Sequence, residues 1–413
     1  MENGEHAYSA RKPARTPMKI TKVEPIALRV PEIKEPVDGN EDDLLVRIET
    51  DEGFEGIGEI DGPPIALAPF IRTVHPGTWW RGFEDLLVGE NPLEIERIWE
   101  KMYRYSYLYG RSGLIMTVIS GLDNALWDLA GKYYKQPVYR LLGGAGKRNS
   151  GVVTPYASIY PFGPTEDDVI EKCNKYVKKR GYIAVKFHNH PIGTDDEQAL
   201  KFVKRAREEL GDDIALMLDA AFHFETPEAI RFARSIEPLD VYFLESPLHP
   251  DNLNGYAKLS QSTSVLIASG EELTLRQQFV ELMDRGRVDI IQPDTVWVGG
   301  ITEWKRIARL AHSKGVLCIP HCFRSNITLA ANLHASAAVP NSPYAESPLL
   351  SSPLARELTN EKFEPGRDGR IKLPDKPGLG ITLNKKTLEK YRFDVSEFRY
   401  DAPARRRSRS KAG

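Results

Sequence analysis

From about residue 150 onward the chain repeats one unit, a short apolar or β-branched run followed by a helical segment, at roughly 25–30 residue intervals. The runs are Val152–Ile159, Ile183–Phe187, Ile214–Leu218, Val241–Leu244, Val265–Ala268, Asp289–Gln292, Val316–Pro320 and, weakly, Tyr344–Ala345. Seven or eight β-α units in succession are what a parallel β/α barrel requires. Thr226-Pro227-Glu228 is expected to open one intervening helix, with an N-cap and a proline in the first turn. The last unit is irregular.

The sequence before residue 150 has a different texture. Met18–Val30 and Asp43–Thr50 alternate apolar and polar residues, Asp51-Glu52-Gly53 makes a turn, and Phe54–Ile60 follows as a third strand. Pro92 is expected to open one helix, and LIMTVISGLDNALWDLAGKYY reads as a second, with apolar residues three and four apart. This is a small antiparallel sheet with helices, an α+β unit. The expected organisation is a disordered 1–17, an α+β domain over 18–145, a barrel over 146–347, a segment 348–403 returning to the first domain, and a disordered basic tail at 404–413.

Composition narrows the function classes. Lysine plus arginine is 56 and aspartate plus glutamate is 58, which argues against a dedicated nucleic-acid binder. No stretch approaches the ~20 apolar residues of a membrane helix, and no apolar run follows the basic N-terminus as in a secretory signal. Cys173, Cys318 and Cys322 do not form a C-x-x-C pair, so a reduced, cytoplasmic location is expected.

In a β/α barrel the active site lies at the C-terminal ends of the strands. The residues there are Lys186 and His188, then Asp219, Glu245, Glu271, Asp294, His321 and Glu346. Alone, each carboxylate reads equally well as a helix cap or a surface charge. Together they do not, because Asp219 to Glu245 and Glu245 to Glu271 are both 26 residues, so three successive strands deliver one carboxylate each to the same rim. Three converging negative charges need a cation to stay ionised, and an all-oxygen set favours Mg²⁺. Three carboxylates and one Mg²⁺ sum to −1, and Lys186 brings that to zero, so a substrate anion can enter. An aspartate bonded to one imidazole nitrogen fixes the tautomer and raises the basicity of the other, which makes Asp294 and His321 a candidate acid/base pair. His188 stands across the barrel. His190, His223 and His249 lie in neighbouring loops. The glycines at 299–300 and 378–380 read as turns, because neither string carries a phosphate-loop lysine.

At these residues the pattern resembles the enolase superfamily, and within it the mandelate racemase subgroup, over about Met18 to Asn384. The strings that carry the resemblance are Leu122–Lys132, Val185–His188, Leu244–Pro247, Ala268–Glu272, Gln292–Asp294, Val298–Thr302, Pro320-His321 and Pro377–Gly380. The resemblance implies an α/β fold, a modified TIM-type (β/α)7β barrel preceded by an α+β capping domain. It implies Mg²⁺ on Asp219, Glu245 and Glu271, His321 with Asp294 as an acid/base dyad, and a protonated Glu346 bonded to a substrate carboxylate. In that family a base removes the proton α to a carboxylate and the metal stabilises the enediolate. There is one departure. The family's racemases carry Lys-x-Lys where this chain has Lys186-Phe187-His188, which leaves His188 open as a base, a hydroxyl ligand or neither.

The function expected from the resemblance is dehydration of an acid sugar to a 2-keto-3-deoxy acid. His321 is the first choice as the acid at the leaving hydroxyl. The loops Pro31–Asn40, Glu59–Pro64 and Tyr105–Ser112 suit a polyhydroxy substrate, with Arg111 as a second anion contact. The alternatives are racemisation, epimerisation or cycloisomerisation of a related carboxylate, and, in another class, a non-catalytic barrel that binds a sugar acid or a partner. The expected partner is thus a small acid sugar rather than nucleic acid or membrane, and the resemblance implies a symmetric homo-oligomer.

Overall fold

A computed structural model describes residues 17–31, 41–72, 81–144, 151–159, 166–188 and 196–395. The expectations for 1–16, for most of the Pro31–Asn40 loop, for His190 and for the basic tail fall outside these residues. Among the described residues no helix is long and apolar enough to cross a membrane.

The chain opens with a three-stranded antiparallel sheet of β1 (Ile20–Arg29), β2 (Asp42–Thr50) and β3 (Glu55–Ile60). The helix Leu114–Tyr134 lies across it. Its approach is set by glycine: a Cβ on Gly56 would stand 2.0 Å from the carbonyl of Ala125, and one on Gly58 would stand 1.9 Å from that of Gly121. The preceding helix runs Ile95–Tyr105, three residues later than Pro92. Asn91 explains the delay, because its side chain accepts from the Leu93 amide at 3.1 Å and holds a turn there.

A two-residue strand β4 (Val152–Val153), which pairs with β13 (Ile371–Lys372), leads into the barrel. The barrel strands are β5 (Pro155–Ile159), β6 (Ala184–His188), β7 (Ala215–Asp219), β8 (Val241–Glu245), β9 (Leu266–Ser269), β10 (Ile290–Ile291), β11 (Leu317–Cys318) and β12 (Ala345–Pro348). They form one parallel sheet in chain order, with β12 returning to pair with β5. Seven of the strands are followed by helices that return along the sheet, and the eighth leads only to the five-residue helix Pro353–Glu357, whose Leu354 packs against the first sheet instead, which gives the (β/α)7β architecture. The helix after β7 begins at Thr226, but its cap is Glu225 rather than Thr226. The Glu225 amide donates to Glu228 at 3.0 Å, while the Thr226 hydroxyl accepts from Asn252.

Strand alternation places the site. Tyr156, Met217, Phe243, Ala268, Ile290 and Ile319 pack together as an apolar layer inside the barrel. Their neighbours Ala157, Leu218, Leu244, Ile267 and Ile291 belong to the outer core with the helices. Two residues further along the strands, the inward positions are Ser158, Asp219, Glu245, Gln292 and His321. The site is therefore a polar layer on an apolar floor.

The two parts dock through side chains of the Leu122–Lys132 string. Asp123 accepts from the Thr302 amide and hydroxyl at 2.9 and 2.7 Å. Asn124 joins the Thr295 carbonyl and the Ile301 amide. Asp128 accepts from the amides of Ile57 and Leu379. The C-terminal segment reaches the sheet again, where the Phe393 amide donates to the Ala27 carbonyl at 3.0 Å. Substituting Gly58→Ala forces backbone apart at the tightest contact between β3 and its helix. An expected loss of about 3 kcal/mol in unfolding free energy follows, read by chemical denaturation.

Candidate active site

Lys186 occupies the centre of the polar layer with no exposed surface. Its Nζ donates to Glu245 Oε1 and Oε2 at 2.7 and 2.8 Å, and lies 2.9 Å from Glu346 Oε1. It also sits over the Tyr156 ring, 5.5 Å from the centroid. Burial alone pulls an ammonium pKa down, but Glu245, Glu346, Asp219 and Glu271 outweigh it and hold Lys186 charged.

Asp219, Glu245 and Glu271 each offer an oxygen, and these oxygens lie within 4.8 Å of one another. Asp219 ends β7 and Glu245 ends β8, while Glu271 follows β9 through Gly270, whose φ of 108° turns the chain inward. The donor set fits a hard divalent cation, since it is all oxygen and crowded with like charge. Burial, then Asp219 and Glu245, pushes the Glu271 carboxyl well above the usual carboxylate range. Burial also raises Glu245, with Lys186 opposing. For Asp219, burial is outweighed by the hydrogen bond and charge of His188, and its pKa is held down to about 2.

His188 Nδ1 lies 2.8 Å from Asp219 Oδ2, and its Nε2 lies 2.7 Å from the Ser158 hydroxyl. Ser158 in turn donates to Glu346 Oε1 at 2.6 Å, and the Cys322 amide donates to Glu346 Oε2 at 2.9 Å. The expected protonated Glu346 belongs to the substrate-bound site; without substrate, burial would raise its pKa, but Lys186, His321 and His188 hold it down to about 2.

On the opposite side, His321 Nδ1 is 2.9 Å from Asp294 Oδ2, and His321 Nε2 is 3.6 Å from Glu271 Oε2. Asn332 donates to Asp294 Oδ1 and to the His321 carbonyl, both at 3.0 Å. The Val296 amide supplies a further bond to Asp294. Burial favours neutral His321, but Asp294, Glu346 and Glu271 prevail and raise its pKa to about 10. These carboxylates thus favour the protonated imidazole.

The structure gathers Lys186, His188, Asp219, Glu245, Glu271, Asp294, His321 and Glu346, whereas Arg111 is exposed in its loop at φ 45°. His223 and His249 are exposed. Glu59 and Asp61, read from sequence as loop groups for a polyhydroxy substrate, are committed to the barrel instead. Glu59 accepts from the amides and hydroxyls of Ser325 and Thr328 at 2.7–3.1 Å. Asp61 binds Arg324 and Trp297. Sequence reading missed Ser158, Asn332 and Arg324. The inward alternation of β5 was the available signal for Ser158, and no local signal existed for the other two.

A carboxylate cluster ringed by a buried lysine and a His–Asp pair, at the C-terminal mouth of a (β/α)7β barrel, defines a class of metal-assisted enzymes. An enolase C-terminal domain-like profile matches residues 168–387. A mandelate racemase / muconate lactonizing enzyme N-terminal domain profile matches residues 38–143. The chain is 34% identical to an arabinonate dehydratase of Saccharolobus solfataricus over 84% of this chain and 90% of that protein. The crystal structure of 3,6-anhydro-D-galactonate cycloisomerase from Zobellia galactanivorans aligns at TM-score 0.80 and 33% identity, over 91% of this chain and 100% of that one. A Streptomyces coelicolor racemase with bound magnesium aligns at TM-score 0.78 and 28% identity, over 91% of this chain and 100% of that one. The chain belongs to the mandelate racemase subgroup of the enolase superfamily, and it is an enzyme.

The raised His321 pKa has a consequence for stability. A histidine whose pKa rises from about 6.5 unfolded to about 10 folded contributes stability that is complete below pH 6.5. That contribution is lost as pH climbs through 10. In metal-free protein the melting temperature should therefore fall between pH 7 and 10, and His321→Asn should flatten that part of the curve.

Proposed function

We propose that the protein is a lyase, an Mg²⁺-dependent dehydratase of an acid sugar that converts a sugar-derived carboxylate to a 2-keto-3-deoxy acid. The observation that carries this reading is the geometry of the dyad: His321 Nδ1 is tied to Asp294 Oδ2 at 2.9 Å, which leaves Nε2 turned to the carboxylate cluster, 3.6 Å from Glu271 Oε2, as a proton carrier beside the candidate metal site.

Asp219, Glu245 and Glu271 would hold the ion. Bound there, Mg²⁺ supplies a Lewis acid next to the substrate carboxylate, where negative charge develops when the α-proton leaves. Lys186 adds a fixed positive charge on the same side and lowers the cost of a second anion among the carboxylates. Glu346, anchored by Lys186, Ser158 and the Cys322 amide, orients the substrate end nearest β12. His321 Nε2 gives its proton to the departing β-hydroxyl, and Asp294 keeps the ring in the required orientation through Nδ1. The base is His188 or His321, each once it has given up a ring proton. His188 reaches the site in place of the second lysine and is linked to Asp219 and Ser158.

The likeness to a cycloisomerase structure supports a second reading in which the same proton abstraction ends without loss of water. The Mg²⁺-loaded protein should form a 2-keto acid from one or more members of an aldonic and aldaric acid library. Glu245→Gln and EDTA should each reduce that rate by at least about 10³-fold. Exchange of the α-proton in D₂O, seen by NMR without 2-keto acid, would replace dehydration with the second reading.

A further inference from the structure

The dyad is carried by two neighbouring loops, and one carboxylate from the first domain holds both. Trp297 stands three residues after Asp294, and Arg324 three residues after His321. Trp297 Nε1 donates to Asp61 Oδ2 at 2.7 Å. Arg324 Nε donates to Asp61 Oδ1 at 2.6 Å, and its Nη2 faces the same oxygen. Arg324 Nη1 also donates to the Asp42 carbonyl at 3.3 Å. The Asp61 and Arg324 side chains are 9% and 13% exposed, so solvent screens this pair far less than a surface one.

Asp61 is not needed merely to seat the domain. Glu59, Asp123 and Asn124 already dock it at the helices Asn326–Ser336 and Gly300–Ser313. What Asp61 adds is a bond from the first domain to each of the two loops. The path to the chemistry is short, because the Trp297 amide closes a turn on the Asp294 carbonyl at 2.9 Å. The far side of the dyad is tied by Asn332, which bonds both Asp294 and His321.

We infer that Asp61 is a positioning residue for the His321–Asp294 pair, its two oxygens fixing the loop after β10 against the loop after β11 and coupling that spacing to the seating of the first domain. The catalytic meaning of this clamp rests on the dehydration proposed above, but the clamp itself can be read without any substrate. In Asp61→Asn the side chain keeps its size and offers one carbonyl oxygen, so its amide meets Trp297 or Arg324 donor against donor. Trp297→Phe removes one arm and leaves the ion pair.

Both full-length variants would be prepared with ¹⁵N-histidine, and the hydrogen-bonded Nδ1 proton of His321 assigned by its loss in His321→Asn. The expected result is an upfield shift or broadening of that resonance in both. With a turned-over acid sugar, kcat should fall about 10- to 100-fold while KM changes less than about twofold. An unchanged resonance in both variants overturns the inference, whether the melting temperature has dropped (a structural tie) or KM has risen (a substrate contact). So does its absence from the parent spectrum, since the pair would then not be fixed. If Asp61→Asn fails to fold, Trp297→Phe decides. If no acid sugar is turned over by the parent, the dehydration reading fails on its own and the resonance still decides the clamp.

Discussion

The site depends on one ammonium group with no contact to water. Lys186 lies within 2.7–2.9 Å of oxygens from Glu245 and Glu346, and all three side chains have no exposed surface. Burying a charge costs several kcal/mol, and here the cost is offset only because the partners come from opposite walls of the barrel. The same ion limits what its partners can do. Its charge draws the Glu346 pKa down, and Ser158 donates to that same carboxylate while bonding His188. Replacing Lys186 by an apolar residue would therefore disturb both flanks at once.

Much of this was legible in the sequence because the barrel converts chain distance into direction. A carboxylate every 26 residues maps onto successive strands when each β-α unit has that length. Inward alternation then sends Asp219 and Glu245 to one layer, and a glycine at 270 brings Glu271 to the same place. The helix Leu114–Tyr134 was equally legible, since its apolar periodicity is long and unbroken. What the sequence did not show are properties of pairs. The charge state of Glu346 depends on Lys186, 160 residues away in the chain. The commitment of Asp61 depends on Arg324, 263 residues further along the chain. Helix starts missed by small margins for local reasons: Asn91 holds a turn past Pro92, and Glu225 rather than Thr226 caps the helix after β7.

The family strings divide by purpose when set against the structure. Those at strand ends carry the site. The Leu122–Lys132 string carries none of it: its acidic and amide side chains satisfy backbone groups at the junction of the two parts. Asp123 approaches the backbone of Gly300 so closely that a Cβ there would lie 2.3 Å from its Oδ2. A polar signature can thus be as specific as a catalytic one while serving only to register one domain on another.

The returning C-terminal segment has a consequence for how the chain is made. One face of the first sheet, with Ile26, Leu28, Leu45 and Ile57, is covered by Leu354, Leu358 and Tyr391. Those covering residues are translated roughly 300 positions after β3. At ribosomal rates the apolar face of the nascent sheet waits for tens of seconds while the entire barrel is synthesised. The sheet that precedes the barrel in the chain is therefore finished only after the barrel, and its apolar face stays uncovered during that interval.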